Sequence, residues 1–153
     1  MALKLSTDLK NYIINQGIVK MMAGTMGTGG STSINIYTGS QPATADLGTS
    51  GTLLCTIVGI GWGGTTGDAS TVGCTSGTLG FASTVGYLGT AATTGTAGWA
   101  RMVTVGTGYT GSAATFRIDG DVGTGASCAF VINAVAITAL GTVTILSAPI
   151  SIP

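Results

Sequence analysis

Histidine and glutamate are absent from this chain, and charged residues of every kind make up only 7% of it, against about 25% in an ordinary soluble protein. Without histidine there is no Ser-His-Asp or Cys-His pair. No Gly-Lys-Ser/Thr triplet occurs, so the phosphate loop of nucleotide hydrolases is excluded too. The bases are Lys4, Lys10, Lys20, Arg101 and Arg117, and they are scattered. A nucleic-acid partner needs clustered positive charge to displace counterions, so none is expected. The acids, Asp8, Asp46, Asp68, Asp119 and Asp121, balance the bases to a net charge of zero. A free monomer usually keeps a net charge of about 2–8. A neutral surface suits a protein that ends packed against other protein.

Other absences narrow the class further. Cys55, Cys74 and Cys128 are odd in number and form no C-x-x-C, so neither a disulfide framework nor a zinc pattern is present. Buried free thiols are expected. Mean hydropathy is +0.56, yet no run of about 20 apolar residues occurs. The opening Met1-Ala2-Leu3-Lys4 is not followed by the run of about 7–15 apolar residues of an export signal. Aromatic girdles of an outer-membrane barrel are missing as well. The expectation is assembly in a reducing host cytoplasm, with no membrane partner.

What the chain does have is glycine, 27 residues of 153. Prolines number only three and no every-third-residue glycine appears, so this is not collagen. The better reading is many short strands joined by glycine-containing turns. Residues 1–30 stand apart as a helical arm and flexible loop. Leu5, Leu9, Tyr12, Ile13 and Gln16 follow helical spacing, with Ser6 or Thr7 as cap and Asp8 in the first turn. This stripe either covers an open end of the sheet or docks on a neighbouring subunit.

From residue 31 to 153 the pattern is that of a β-domain. Strands are expected at Ser33–Thr38, Thr52–Val58, Trp99–Val105, Ala114–Ile118, Cys128–Ile137 and Thr142–Ile152. A weak one lies near Phe81. In the first, Ile34 and Ile36 share one face, and Asn35 and Tyr37 the other. Trp99, Arg101, Val103 and Val105 share a face of the third. Asp119-Gly120 reads as a turn, as does Leu140-Gly141, which closes a C-terminal hairpin. Pro149 marks a bulge or an edge. The fold class is therefore mainly β: an antiparallel β-sandwich or small barrel with a short N-terminal helix, carrying a Gly/Thr-rich insertion at about 59–98.

Few residues carry chemistry. Gly59-Ile60-Gly61-Trp62-Gly63-Gly64 matches the dinucleotide fingerprint, but Thr65-Thr66-Gly67-Asp68 has no helical period to receive a pyrophosphate. No cofactor is expected. Asp119 and Asp121 flank one glycine and read as turn residues; a weak calcium site is the functional alternative. Arg117 is the expected partner of Asp119. Trp99 reads as a core residue. Trp62, in a glycine loop, reads as an interface anchor beside Leu5, Leu9, Tyr12 and Ile13. No catalytic or metal site is expected.

Several segments taken together resemble a known group. They are Leu5-Ser6-Thr7-Asp8-Leu9-Lys10-Asn11, then Ile34-Asn35-Ile36-Tyr37-Thr38-Gly39-Ser40-Gln41-Pro42-Ala43-Thr44-Ala45-Asp46, then Gly51-Thr52-Leu53-Leu54. Gly95-Thr96-Ala97-Gly98-Trp99-Ala100-Arg101, Phe116-Arg117-Ile118-Asp119-Gly120 and the ending Pro149-Ile150-Ser151-Ile152-Pro153 follow. The chain resembles small proteins encoded among the structural genes of tailed bacteriophages. That resemblance implies a non-enzymatic virion protein. The expected role is a capsid decoration, or cement, protein on the virion surface. Its expected partners are the major capsid protein and sister copies in a homo-oligomer. A tail, fibre or head–tail connector part, or a cell-surface adhesion module, is the alternative.

Overall fold

The structure, a computed structural model, describes residues 5–14, 31–58, 74–75, 78–79, 87–105 and 115–151. The strands are β1 (Ser31–Thr38), β2 (Leu53–Val58), β3 (Cys74–Thr75), β4 (Thr78–Leu79), β5 (Tyr87–Thr90) and β6 (Gly95–Val105). They continue as β7 (Thr115–Gly123), β8 (Phe130–Ile132), β9 (Ala136–Ile137), β10 (Thr142–Ser147) and β11 (Ile150–Ser151). A single helix among the described residues, α1 (Thr7–Ile13), precedes them. The main sheet runs in the order β2-β1-β6-β7-β8-β10-β5. A bridge from Ala91 to Cys55 brings the end of β5 back to β2, and the Ala92 N–H donates to the Leu54 carbonyl across the same seam. The sheet therefore curls into a nearly closed barrel. The small sheet β11-β4-β3 is separate.

Side-chain alternation explains why the sheet curls on itself. Thr32, Ile34 and Ile36 of β1 are buried, while Ser33 and Asn35 between them are not. Ile34 and Ile36 meet Ala100 and Met102 of β6, Leu54, Cys55 and Ile57 of β2, and Ile132, Val143 and Ile145 from the far wall. An inward-facing aliphatic residue contributes about 1.5–3 kcal/mol when fully buried, and closing the sheet is what removes all of these from water. In β2 two consecutive residues, Leu54 and Cys55, are buried. A register shift makes this possible: Ile36 pairs with Cys55 but Tyr37 pairs with Leu53, so Leu54 is the extra residue of a bulge.

Several expected boundaries move. The Asp119-Gly120 turn does not form: β7 runs through both residues to Gly123, paired with β6 from Thr115 to Asp121. Gly120 is there because a Cβ at that place would run into Ala129 and Phe130. This close approach is what a strand glycine permits. It also lets β8 lie beside β7 in parallel, Val122 against Phe130, after a connection of only residues 124–129. The barrel is thus not wholly antiparallel. The single strand expected over Cys128–Ile137 is two. Asn133 breaks it, because its side-chain amide takes both the Thr144 N–H and the Thr142 carbonyl. The chain then steps across so that β9 pairs with the start of β6.

The last expected strand is interrupted at Ala148 and Pro149, beyond which β11 joins the other sheet. The turn before β10 closes through Gly141 N–H to the Thr138 carbonyl, with Leu140 at φ +68°. The expected insertion at 59–98 is shorter than its limits, since β5 and the first residues of β6 belong to the barrel wall. Phe81, and the glycine fingerprint with Trp62, lie outside the described residues.

Candidate functional site

The outer wall of the barrel carries a row of polar and aromatic side chains fixed by strand register. Tyr37 on β1 lies opposite Trp99 on β6, which lies opposite Asp121 on β7; one step along, Asn35, Arg101 and Asp119 form the next row. Tyr37 and Trp99 stack with ring centroids 4.6 Å apart. The Arg101 guanidinium sits 5.4 Å from the Trp99 ring centre, within the range of a cation–π contact. Arg101 also grips Asp119, Nε to Oδ1 at 2.7 Å and Nη2 to Oδ2 at 2.6 Å. Those hydrogen bonds hold the guanidinium charged above its ordinary value, outweighing the opposite pull of burial.

An outer wall would normally be wet, but Trp99 is fully buried and Arg101 is 4% exposed. The cover is the 39–51 connection between β1 and β2, which folds back across β6 as a strap. Strap and wall join through main-chain carbonyls. Arg101 Nη1 donates to the Leu47 carbonyl at 2.9 Å and Trp99 Nε1 to that of Ser50 at 3.2 Å. Arg117 Nη1 reaches the Ala45 and Asp46 carbonyls at 3.3 and 3.4 Å. Gly98 has no room for a side chain, because a Cβ would strike the Gly39 carbonyl. The strap begins and ends on left-handed glycines, Gly39 at φ +77° and Gly51 at φ +78°. Trp99 is therefore buried, as expected, but under the strap and outside the barrel's central cluster.

Asp119 and Asp121 are both engaged structurally. Arg117 does not pair with Asp119, as the sequence led one to expect; Arg101 takes it, because β7 continues straight and sets Asp119 opposite Arg101. Asp121 Oδ1 accepts the Ala129 N–H at 2.9 Å and so pins the 124–129 loop. An open depression of about 560 Å³ lies between the strap's start and that loop, with Asp121 at its rim. Among the described residues no cluster of three or more His, Cys, Asp or Glu gathers in metal-binding fashion. Cys55 is buried in the barrel, and burial pushes its thiol up.

A second surface is the arm. Ser6 caps α1, its Oγ accepting the Leu9 N–H at 3.3 Å, and Asp8 lies in the first turn. The barrel takes Ile14, which is fully buried in the central cluster. Leu9, Tyr12 and Ile13 stay exposed, Tyr12 by 64%, and Leu5 is half-buried. Of the expected interface residues, then, the structure gathers Leu9, Tyr12 and Ile13 on one outward-facing helix; Trp62 is not described. Val58, Leu88 and Leu146 are also exposed, on the outward faces of β2, β5 and β10. Sequence reasoning missed Ile14 because it falls off the stripe made by Leu5, Leu9 and Ile13. It missed the Arg101–Asp119 pair because an Asp-Gly dipeptide signals a turn. Among the described residues no helix is long and apolar enough to cross a membrane.

No family model, curated protein or solved structure matches the chain.

Proposed function

We propose that this protein is a non-enzymatic structural component of a tailed-phage particle, a capsid decoration protein that binds the outer shell and stabilises the head. The observation that carries the reading is the arm. The barrel accepts Ile14 and leaves the apolar stripe of Leu9, Tyr12 and Ile13 facing outward. Exposed aromatic and aliphatic groups on a short helix are anchors for a partner's groove. Each contact is small, but copies placed on a fixed lattice gain from effective concentration.

Three further features support the reading. The segments that resemble phage structural proteins include the strap and the strands that hold it. Among the described charged residues, Asp119 is engaged by Arg101, Asp121 by a loop N–H and Arg117 by the strap. The barrel interior is filled with aliphatic side chains, the reverse of a membrane barrel with a polar lumen.

The deciding experiment is to purify the source particle, separate heads from tails, and count this chain in each by mass spectrometry. Hundreds of copies with heads are expected. A few to tens of copies with tails would make it a tail or connector part instead. Absence from both would overturn the virion reading. In the same assay, Leu9→Ser with Tyr12→Ser, which leaves the buried Ile14 in place, is expected to lose particle binding.

A further inference from the structure

Charge is divided unevenly along the chain. Residues 1–30 hold three bases, Lys4, Lys10 and Lys20, against one acid, Asp8. Residues 31–153 hold two bases, Arg101 and Arg117, against four acids, Asp46, Asp68, Asp119 and Asp121. The arm is therefore positive and the remainder negative by the same amount, although the whole is neutral. Opposite charge on two parts of one molecule attracts one copy to the next.

Most of the described charges are already met within the chain. Arg101 and Asp119 form the single ion pair among the described residues. Arg117 grips the Asp46 carbonyl, so a base already stands beside that acid. On the arm the base left over is Lys10, half-buried in the last turn of α1 and without an ion pair among the described residues. On the barrel the acid left over is Asp121. It is exposed and gives Oδ1 to the Ala129 N–H, while Oδ2 has no partner among the described residues.

Asp121 stands at the rim of the depression of about 560 Å³. Gly98 and Gly120 line that depression without side chains to fill it. Asp119 lines it too, but the Arg101 guanidinium cancels its charge. What remains is a concave site whose net charge is that of Asp121. It has room for the flexible four-carbon stem of a lysine and the ammonium at its tip.

We propose that Lys10 of one copy enters the Asp121 depression of the next, so that the arm of each chain docks on the barrel of its neighbour. The occupant is a second copy because the chain itself supplies the complementary charge. Such a contact runs head to tail, and it closes into a ring where the rotation between copies permits. Helix geometry keeps the rest of the stripe available. At about 100° per residue, Tyr12 lies about 160° around the helix from Lys10. One flank of α1 thus meets a sister copy and the other stays open to the shell. The pairing is a property of free chains, so it stands or fails separately from the virion reading.

The experiment uses the full chain without particles, at low salt. Equal amounts of unlabelled and isotope-labelled chain are mixed and treated with a water-soluble carbodiimide, which joins an ammonium and a carboxylate in contact as an amide. Mass spectrometry of the digest is expected to find Lys10 joined to Asp121, with mixed-isotope pairs present. The same amide in single-isotope pairs only would place the contact within one chain. That result, or Lys10 joined to a different acid or to none, overturns the proposal. Sedimentation equilibrium then measures self-association. Asp121→Asn removes the charge but keeps the oxygen that holds the Ala129 N–H. This variant and Lys10→Gln are each expected to weaken self-association about tenfold, and the double variant no further. An unmodified chain that stays monomeric, or two losses that simply add, overturns the proposal as well.

Discussion

Arg101 and Asp119 face each other across β6 and β7 and lock through parallel hydrogen bonds of 2.7 and 2.6 Å, with side chains only 5% and 6% exposed. A buried pair of this kind is costly to break from one side, since the surviving charge is left without a partner in a dry place. Asp119→Asn is expected to cost about 3 kcal/mol in urea unfolding. Arg101→Met with Asp119→Leu is expected to cost less than the two single changes added together. A double-mutant cycle measures the coupling.

At the end of α1, Ile14 is buried in the barrel while Leu9 and Tyr12 before it are exposed, so folding and the proposed binding can be tested apart. Ile14→Ala removes a fully buried side chain and is expected to destabilise by about 3 kcal/mol. Leu9→Ser with Tyr12→Ser touches exposed groups, so thermal unfolding should shift by no more than about 0.5 kcal/mol. The same double variant is expected to lose particle binding in a co-sedimentation assay. Unchanged binding would remove α1 from the interface.

Leu140 is 85% exposed and sits at φ +68°, a conformation that costs a non-glycine residue about 1–2 kcal/mol. Asparagine visits that region far more readily. Leu140→Asn is expected to stabilise the protein by about 0.5–1 kcal/mol, read as a higher midpoint in chemical denaturation.

Burial raises both the Cys55 thiol, from an ordinary 9.0, and the Tyr87 phenol, from an ordinary 10.0. The unfolded chain then loses these protons at lower pH than the folded one. Above about pH 9 the folded state holds more protons, so stability falls as pH rises. With no histidine in the chain, the melting temperature is expected to change little between about pH 6 and pH 8. It is then expected to decline above about pH 9, less steeply in Cys55→Ala. A scan by differential scanning fluorimetry checks both limbs.

How much of this was legible in the sequence depended on whether a residue's neighbours along the chain decide its place. The alternation of Ile34 and Ile36 against Asn35 and Tyr37 is local, and the β1 faces follow from it. The C-terminal turn at Leu140-Gly141 is local too. The path of β7 is not: Asp119-Gly120 has turn composition, but pairing to β6 on one side and the close approach of Ala129 on the other keep it extended. Tertiary contact likewise decides that Trp99 is buried from outside the barrel, by a connection whose own residues gave no sign that it would fold back. The exposed stripe on α1 was visible as spacing, and only the barrel surface determines that Ile14 enters the core in its stead.

Because the strap is gripped by its carbonyls, its side chains from Ala43 to Thr49 answer to almost no internal demand. Such a stretch tolerates replacement of its letters while the wall beneath keeps its grip. That makes it a place where foreign peptide segments can be grafted without disturbing the barrel.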